Sequence, residues 1–76
     1  MLMGKNLSGP AIKKYRDKRG LSQEQLAAAA QRAGWDIGRD VIAKVETGAR
    51  YVADIELVKF AKLLHVSAKD LLPKGS

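Results

Sequence analysis

The residues from Ser22 to Gly48 constrain the fold of this chain more than any other stretch. Ser22 and Gln25 have the spacing of a capping box, in which each side chain satisfies a free N–H group at the start of a helix. Apolar residues then recur at helical spacing and are expected to form a buried face, at Leu26, Ala27, Ala30 and Ala33. The pattern predicts a helix over about residues 22–33, followed by a glycine-containing turn.

A second helix is predicted over about residues 39–47, with Val45 facing inward together with either Val41 or Ile42. Gly48 lies just past its end, where a residue free to take a positive φ closes a helix. Two helices joined by a turn, the second with a polar outer face, are the organisation of a helix-turn-helix motif.

Composition limits the chain to one small domain, because 76 residues cannot form two cores. There is no cysteine, so disulfides and thiolate metal sites are excluded. Lysine and arginine number 14 against 8 acidic residues, a net charge of +6 that favours polyanionic partners such as nucleic acid. No run approaches the ~20 apolar residues of a membrane span, and the N-terminus lacks an apolar signal core. We therefore expect a cytoplasmic protein that does not bind membranes.

Three further helices complete the prediction, and no strand-like alternation appears. They are predicted from Pro10 to about Arg19, from about Asp54 to Leu64, and from Ala68 to Leu72. Ala53 is the expected cap of the fourth helix and has no side-chain acceptor. The N-terminal end of the fourth helix should therefore be less stable by ~1 kcal/mol, unless the Asp54 side chain accepts the hydrogen bond in place of the cap.

The five helices predict an all-α domain over residues 10–72. Residues 1–9 are expected to form a flexible N-terminal segment and residues 73–76 a C-terminal tail. Trp35, in the turn between the second and third helices, is expected to cap the core, a dimer or ligand contact being the alternative. His65 is expected at the surface, tolerating a positive φ.

Three strings carry a resemblance to a known family. They are LSQEQLA at residues 21–27, IAKVETG at residues 42–48, and FAKLLHVS at residues 60–67 with DLL at residues 70–72. Together they resemble the phage repressor-like helix-turn-helix family (Cro/repressor, XRE-type). The resemblance covers about residues 10–72. It implies a compact five-helix DNA-binding domain whose third helix enters the major groove.

The resemblance also implies roles for individual residues. The base-reading positions fall on Arg39, Asp40 and Lys44. The phosphate-contacting positions fall on Gln23, Thr47, Arg50 and Tyr51. A buried ion pair that links the first and third helices falls on Arg16 and Glu46.

Several of these residues have more than one physically reasonable role. Arg39 can make a bidentate contact with guanine or remain an ordinary surface arginine. Asp40 can accept from cytosine N4 or stabilise the positive end of the helix dipole. Gln23 can donate to a phosphate or stay solvated. Lys44 can contact a phosphate or a base, or stay solvated. Tyr51 can contact backbone oxygens or pack on the fourth helix.

Two features depart from the family pattern. The linker between the second and third helices is longer than in the simplest members, which bears on the tilt of the recognition helix. Gly38 stands where a serine or threonine cap is common, which leaves the start of that helix less constrained.

We therefore expect a sequence-specific regulator that binds double-stranded DNA as a symmetric homodimer, with recognition helices about 34 Å apart. The expected dimer surface involves Val58, Leu63 and Leu71. The alternative is a protein-interaction module, antitoxin-like or co-regulatory, with an additional protein partner. An enzyme is not expected, because the chain has no nucleophile–base constellation and no metal set, and no cofactor is implied.

Overall fold

The computed structural model describes residues 8–72, which contain five helices and no strand. The helices are α1 (Gly9–Lys18), α2 (Gln23–Arg32), α3 (Arg39–Thr47), α4 (Asp54–Leu64) and α5 (Ala68–Leu71). The predicted all-α, five-helix fold is confirmed. Residues 1–7 of the expected N-terminal segment and all of the expected tail, residues 73–76, lie outside the described residues.

A single apolar core lies between the helices. Its largest fully buried side chains are those of Ile12, Leu26, Ile42, Val45, Phe60, Leu64 and Leu71. Burying a side chain of this size stabilises a fold by about 1.5–3 kcal/mol. Ile42 is fully buried whereas Val41 is half-buried, so Ile42 is the inward partner of Val45 on α3.

Two expectations about burial were wrong. Ala33, expected on the buried face of α2, is exposed because α2 ends at Arg32 and Ala33 is its C-cap. Ile37, from the following turn, joins the core instead. Leu71, expected on a dimer surface, is fully buried because α5 packs against α4.

The helix ends show how the sequence specifies these elements. At α2 the predicted capping box is confirmed: the Gln25 N–H donates to Ser22 Oγ at 3.0 Å, and the Ser22 N–H donates to Gln25 Oε1 at 2.8 Å. At α4 the Ala53 N–H donates to Glu56 Oε1 at 3.1 Å. Glu56, and not Asp54, therefore compensates for the missing side-chain acceptor of the alanine cap.

Two left-handed residues end helices as expected. Gly48 has φ 89° after α3, and His65 has φ 60° after α4. The start of α1 packs closely against α3 at Gly9, because a Cβ atom at this position would collide with the carbonyl oxygen of Val45. Both α1 and α2 pack against α3 and hold it in place. Among residues 8–72, every helix is too short or too polar to cross a lipid bilayer.

Candidate nucleic-acid interface

One face of α3 is polar and exposed, while the opposite face belongs to the core. Arg39 and Asp40 lie in its first turn, and Lys44 lies further along; all three side chains are exposed. Thr47, in the last turn, is also exposed, and its hydroxyl donates to the Lys44 carbonyl at 3.3 Å. The three residues that resemblance assigns to base reading therefore lie together on an accessible helix.

A buried polar network anchors the inner face of α3. Arg16 Nε donates to Glu46 Oε2 at 2.7 Å, and Arg16 Nη2 donates to Glu46 Oε1 at 3.0 Å. The two side chains are only 9% and 2% exposed. The hydrogen bond with Glu46 raises the pKa of Arg16 above its usual value. Arg16 Nη1 also donates to the Leu21 carbonyl at 2.7 Å, so α1, α3 and the turn before α2 are joined.

Gln23 is the third member of this network. Its amide nitrogen donates to Glu46 Oε1 at 3.0 Å, which connects the first turn of α2 with the last turn of α3. The side-chain amide has two donors and one acceptor oxygen, so one N–H remains for another partner. Gln23 is thus positioned by Glu46 and is not simply solvated.

Arg50 and Tyr51 lie in the loop after α3. Arg50 makes a bidentate pair with Glu56, with Nη1 3.1 Å from Oε1 and Nη2 2.9 Å from Oε2. Hydrogen bonding by Arg50 lowers the pKa of Glu56, although burial of the carboxylate opposes the shift. The Tyr51 side chain is 57% exposed, so it is available to an external partner. Glu56 did not emerge from sequence reasoning, although its position three residues after Ala53 is a capping-box spacing.

The turn between α2 and α3 is tied to both neighbours. The Trp35 N–H donates to the Ala30 carbonyl at 2.8 Å, and Gln31 Nε2 donates to the Ile37 carbonyl at 3.0 Å. The indole packs edge to face on Phe60, with ring centroids 4.9 Å apart. Trp35 therefore packs against the core, as expected, and the longer linker is held where α3 begins.

The helices α2 and α3 are joined by a turn, the inner face of α3 is held by buried hydrogen bonds, and its outer face is polar. This arrangement defines a helix-turn-helix protein. Residues 12–71 match the family model described as "Helix-turn-helix", and the chain belongs to that family. No curated protein sequence matches the chain.

Solved structures are similar over nearly the whole chain. The restriction-modification controller protein C.AhdI from Aeromonas hydrophila is 31% identical with a TM-score of 0.74, over 90% of this chain and 96% of that chain. The hypothetical transcription factor NHTF from Neisseria is 29% identical with a TM-score of 0.76, over 95% and 78% of the two chains. The clp gene regulator ClgR from C. glutamicum, 20% identical over 93% and 86% of the two chains, shares the fold with a TM-score of 0.78.

Proposed function

We propose that this helix-turn-helix transcription regulator binds double-stranded DNA sequence-specifically, with α3 in the major groove. The observation that carries the proposal is the asymmetry of α3. Its inner face is held by the buried Arg16–Glu46–Gln23 network, while its outer face presents exposed polar side chains. A helix held rigidly from one side can present base-reading groups at a defined depth and angle.

Base reading is assigned to the exposed residues of α3. Arg39 at its start has the guanidinium geometry for a bidentate contact with guanine O6 and N7. Lys44 donates to a base or a phosphate further along the groove. Asp40 accepts from cytosine N4, which would offset part of its repulsion from phosphate.

Phosphate contacts are assigned to groups on either side of α3. The first turn of α2 presents free backbone N–H groups, and Gln23 retains one side-chain N–H beside them. Thr47 ends α3, and Arg50 and Tyr51 lie in the loop after it; these three residues are assigned to the neighbouring stretch of DNA backbone. Arg50 is already oriented by Glu56, so it loses little side-chain entropy on binding.

A homodimer is proposed from the apolar side chains left outside the core. Ile55 is 68% exposed and Val58 is 45% exposed, and their spacing puts them on one face of α4. Two copies paired there would present two copies of α3 to a near-palindromic operator. Such a regulator acts in the cytoplasm, by binding and not by catalysis.

The test begins with selection of an operator from random duplex DNA, followed by anisotropy titrations. We expect affinity to fall steeply between ~50 and ~200 mM salt, because phosphate contacts release counterions. Arg39→Ala should reduce discrimination between operator and random duplex by about 5- to 150-fold, the loss of one bidentate contact. Arg32→Ala removes an exposed arginine at the far end of α2 and should change discrimination little.

An interaction module is the second candidate, favoured by the exposed Ile55 and Val58. The same titration separates the two functions. Absence of binding to any duplex at ~50 mM salt would refute DNA binding and make a protein partner of α4 the leading function.

A further inference from the structure

A pocket with basic and aromatic walls lies on another part of the domain. It is formed by the end of α2, the turn that follows and the second half of α4, and its volume is about 250 Å³. The lining residues are Ala33, Gly34, Trp35, Lys59, Lys62 and Leu63. Two of the six are lysines and none is acidic, so the pocket is electrostatically suited to an anion.

The cationic groups of the pocket are available for a ligand. Lys59 Nζ lies 5.2 Å from the centroid of the Trp35 ring, a cation–π distance. Neither Lys59 nor Lys62 forms a salt bridge with any other residue between 8 and 72. The nearest carboxylate along α4, that of Glu56, is engaged by Arg50 and by the Ala53 N–H. An incoming anion would therefore meet ammonium groups that lack a strong internal partner.

The pocket is separate from the proposed DNA contacts. Gln23 begins α2 and Ala33 follows its last residue, so about 15 Å of helix lies between them. Arg50 and Tyr51 precede α4, whereas Lys62 lies in its last turn. The pocket thus lies at the C-terminal end of α2 and along the second half of α4, whereas the proposed phosphate contacts lie at the start of α2 and before α4.

We propose that this pocket binds a small aromatic carboxylate. Its ring would lie against Trp35 and Leu63, and its carboxylate would accept from the ammonium groups of Lys59 and Lys62. The pocket is slightly smaller than the ~300 Å³ lower range of drug-sized sites, so a molecule of one or two rings fits. Binding does not depend on DNA recognition. Trp35 nevertheless lies in the turn that leads to Gly38, the N-cap of α3, so a ligand would contact that turn.

The test uses the single tryptophan as its reporter. One indole N–H signal is expected in a ¹H–¹⁵N correlation spectrum, and it is followed while 1-naphthoate is added at neutral pH. We expect a saturable shift with a dissociation constant on the order of 1 mM, the range for a ligand of this size. The matched uncharged molecule, 1-naphthalenemethanol, should bind several-fold more weakly.

Paired variants separate the pocket from general attraction to a basic protein. The double variant Lys59→Gln/Lys62→Gln should raise the dissociation constant of 1-naphthoate about tenfold, because it loses two partly exposed ion pairs with the ligand carboxylate. Lys14→Gln/Lys18→Gln removes the same charge from lysines that flank Tyr15 at 5.6 and 5.7 Å, outside the pocket, and should change it little. The single variant Lys62→Gln preserves the contact between Lys59 and Trp35. Weaker binding of 1-naphthoate by this variant therefore cannot come from loss of that contact.

Several outcomes would overturn the proposal. They are no saturable shift with 1-naphthoate, equal binding of the alcohol, or equal loss in both lysine double variants. A shift produced by a hexaglutamate peptide but not by naphthoate would assign the pocket to a protein partner. A shift produced only by raising the protein concentration would assign it to a second copy of this chain. Neither result bears on whether α3 binds DNA.

Discussion

Glu46→Gln tests whether the buried network of Arg16, Glu46 and Gln23 holds α3 in place. The native carboxylate accepts three hydrogen bonds, two from Arg16 and one from Gln23. The variant keeps one acceptor oxygen and places an NH2 group against other donors. It also removes the buried counter-charge of a guanidinium that is only 9% exposed.

The expected magnitude follows from this geometry. Removing one partner of a buried ion pair costs about 3–5 kcal/mol. Part of this loss is compensated, because Arg16 Nη1 remains 3.2 Å from Asp17 Oδ1 and bonded to the Leu21 carbonyl. We therefore expect the free energy of unfolding to fall by about 2–3 kcal/mol. For a domain of this size the melting temperature should fall by roughly 10–20 °C.

The assay is thermal and urea unfolding followed by circular dichroism at pH 7, with DNA affinity measured on the same samples. Glu24→Gln, an exposed carboxylate on α2, is the control and should stay within about 0.5 kcal/mol of the parent. A double-mutant cycle adds Arg16→Met and Glu46→Leu. The double variant should be more stable than Glu46→Leu alone, because it leaves no unpaired buried charge.

Two results would refute the reasoning. If Glu46→Gln lost DNA affinity with an unchanged melting temperature, Glu46 would act on the DNA contact itself and not as a scaffold. If the effects of the two substitutions in the cycle simply added, Arg16 and Glu46 would not be energetically coupled.

Three further predictions concern single side chains. Asp40→Ala should tighten binding to random duplex about two- to fivefold at low salt, because it removes a charge that phosphate repels; weaker binding would contradict this. The pKa of Glu56 in the folded state lies below its ordinary 4.5. Its ionised carboxylate therefore stabilises the fold at neutral pH, and this stabilisation is lost as the pH falls through the pKa of the folded state. Glu56→Gln should therefore reduce the difference in urea stability between pH 7 and pH 3 by about 1 kcal/mol, and an unchanged difference would contradict the Arg50 pairing. His65→Gly should raise stability by about 1 kcal/mol by relieving a left-handed φ of 60°, and a matching gain with His65→Ala would exclude that cause.

Much of the fold was predictable because it depends on local rules. The capping box at Ser22, the glycine after α3 and the apolar spacing of α4 each act within a few residues of chain. All three therefore predict helix boundaries that agree closely with the structure. The three sequence segments that resemble the family also predicted the order of the helices and the position of α3 in the chain.

The sequence named candidate site residues but did not predict the hydrogen bonds among them. Resemblance paired Arg16 with Glu46, yet it treated Gln23 as a separate phosphate contact and did not mention Glu56. The structure bonds Gln23 to Glu46 and Arg50 to Glu56. Such partners depend on side-chain reach between elements, which helical periodicity does not describe.

The sequence by itself determined where helices begin and end, because caps, glycines and apolar spacing act over one or two turns. Only the tertiary structure decided that Ile42 and not Val41 faces the core, and that Ile37 replaces Ala33 there. It also decided that Leu71 is buried under α4 and that Trp35 meets Lys59 across the pocket. These outcomes depend on the angles and distances at which helices pack, and those are set by the fit of all the side chains together.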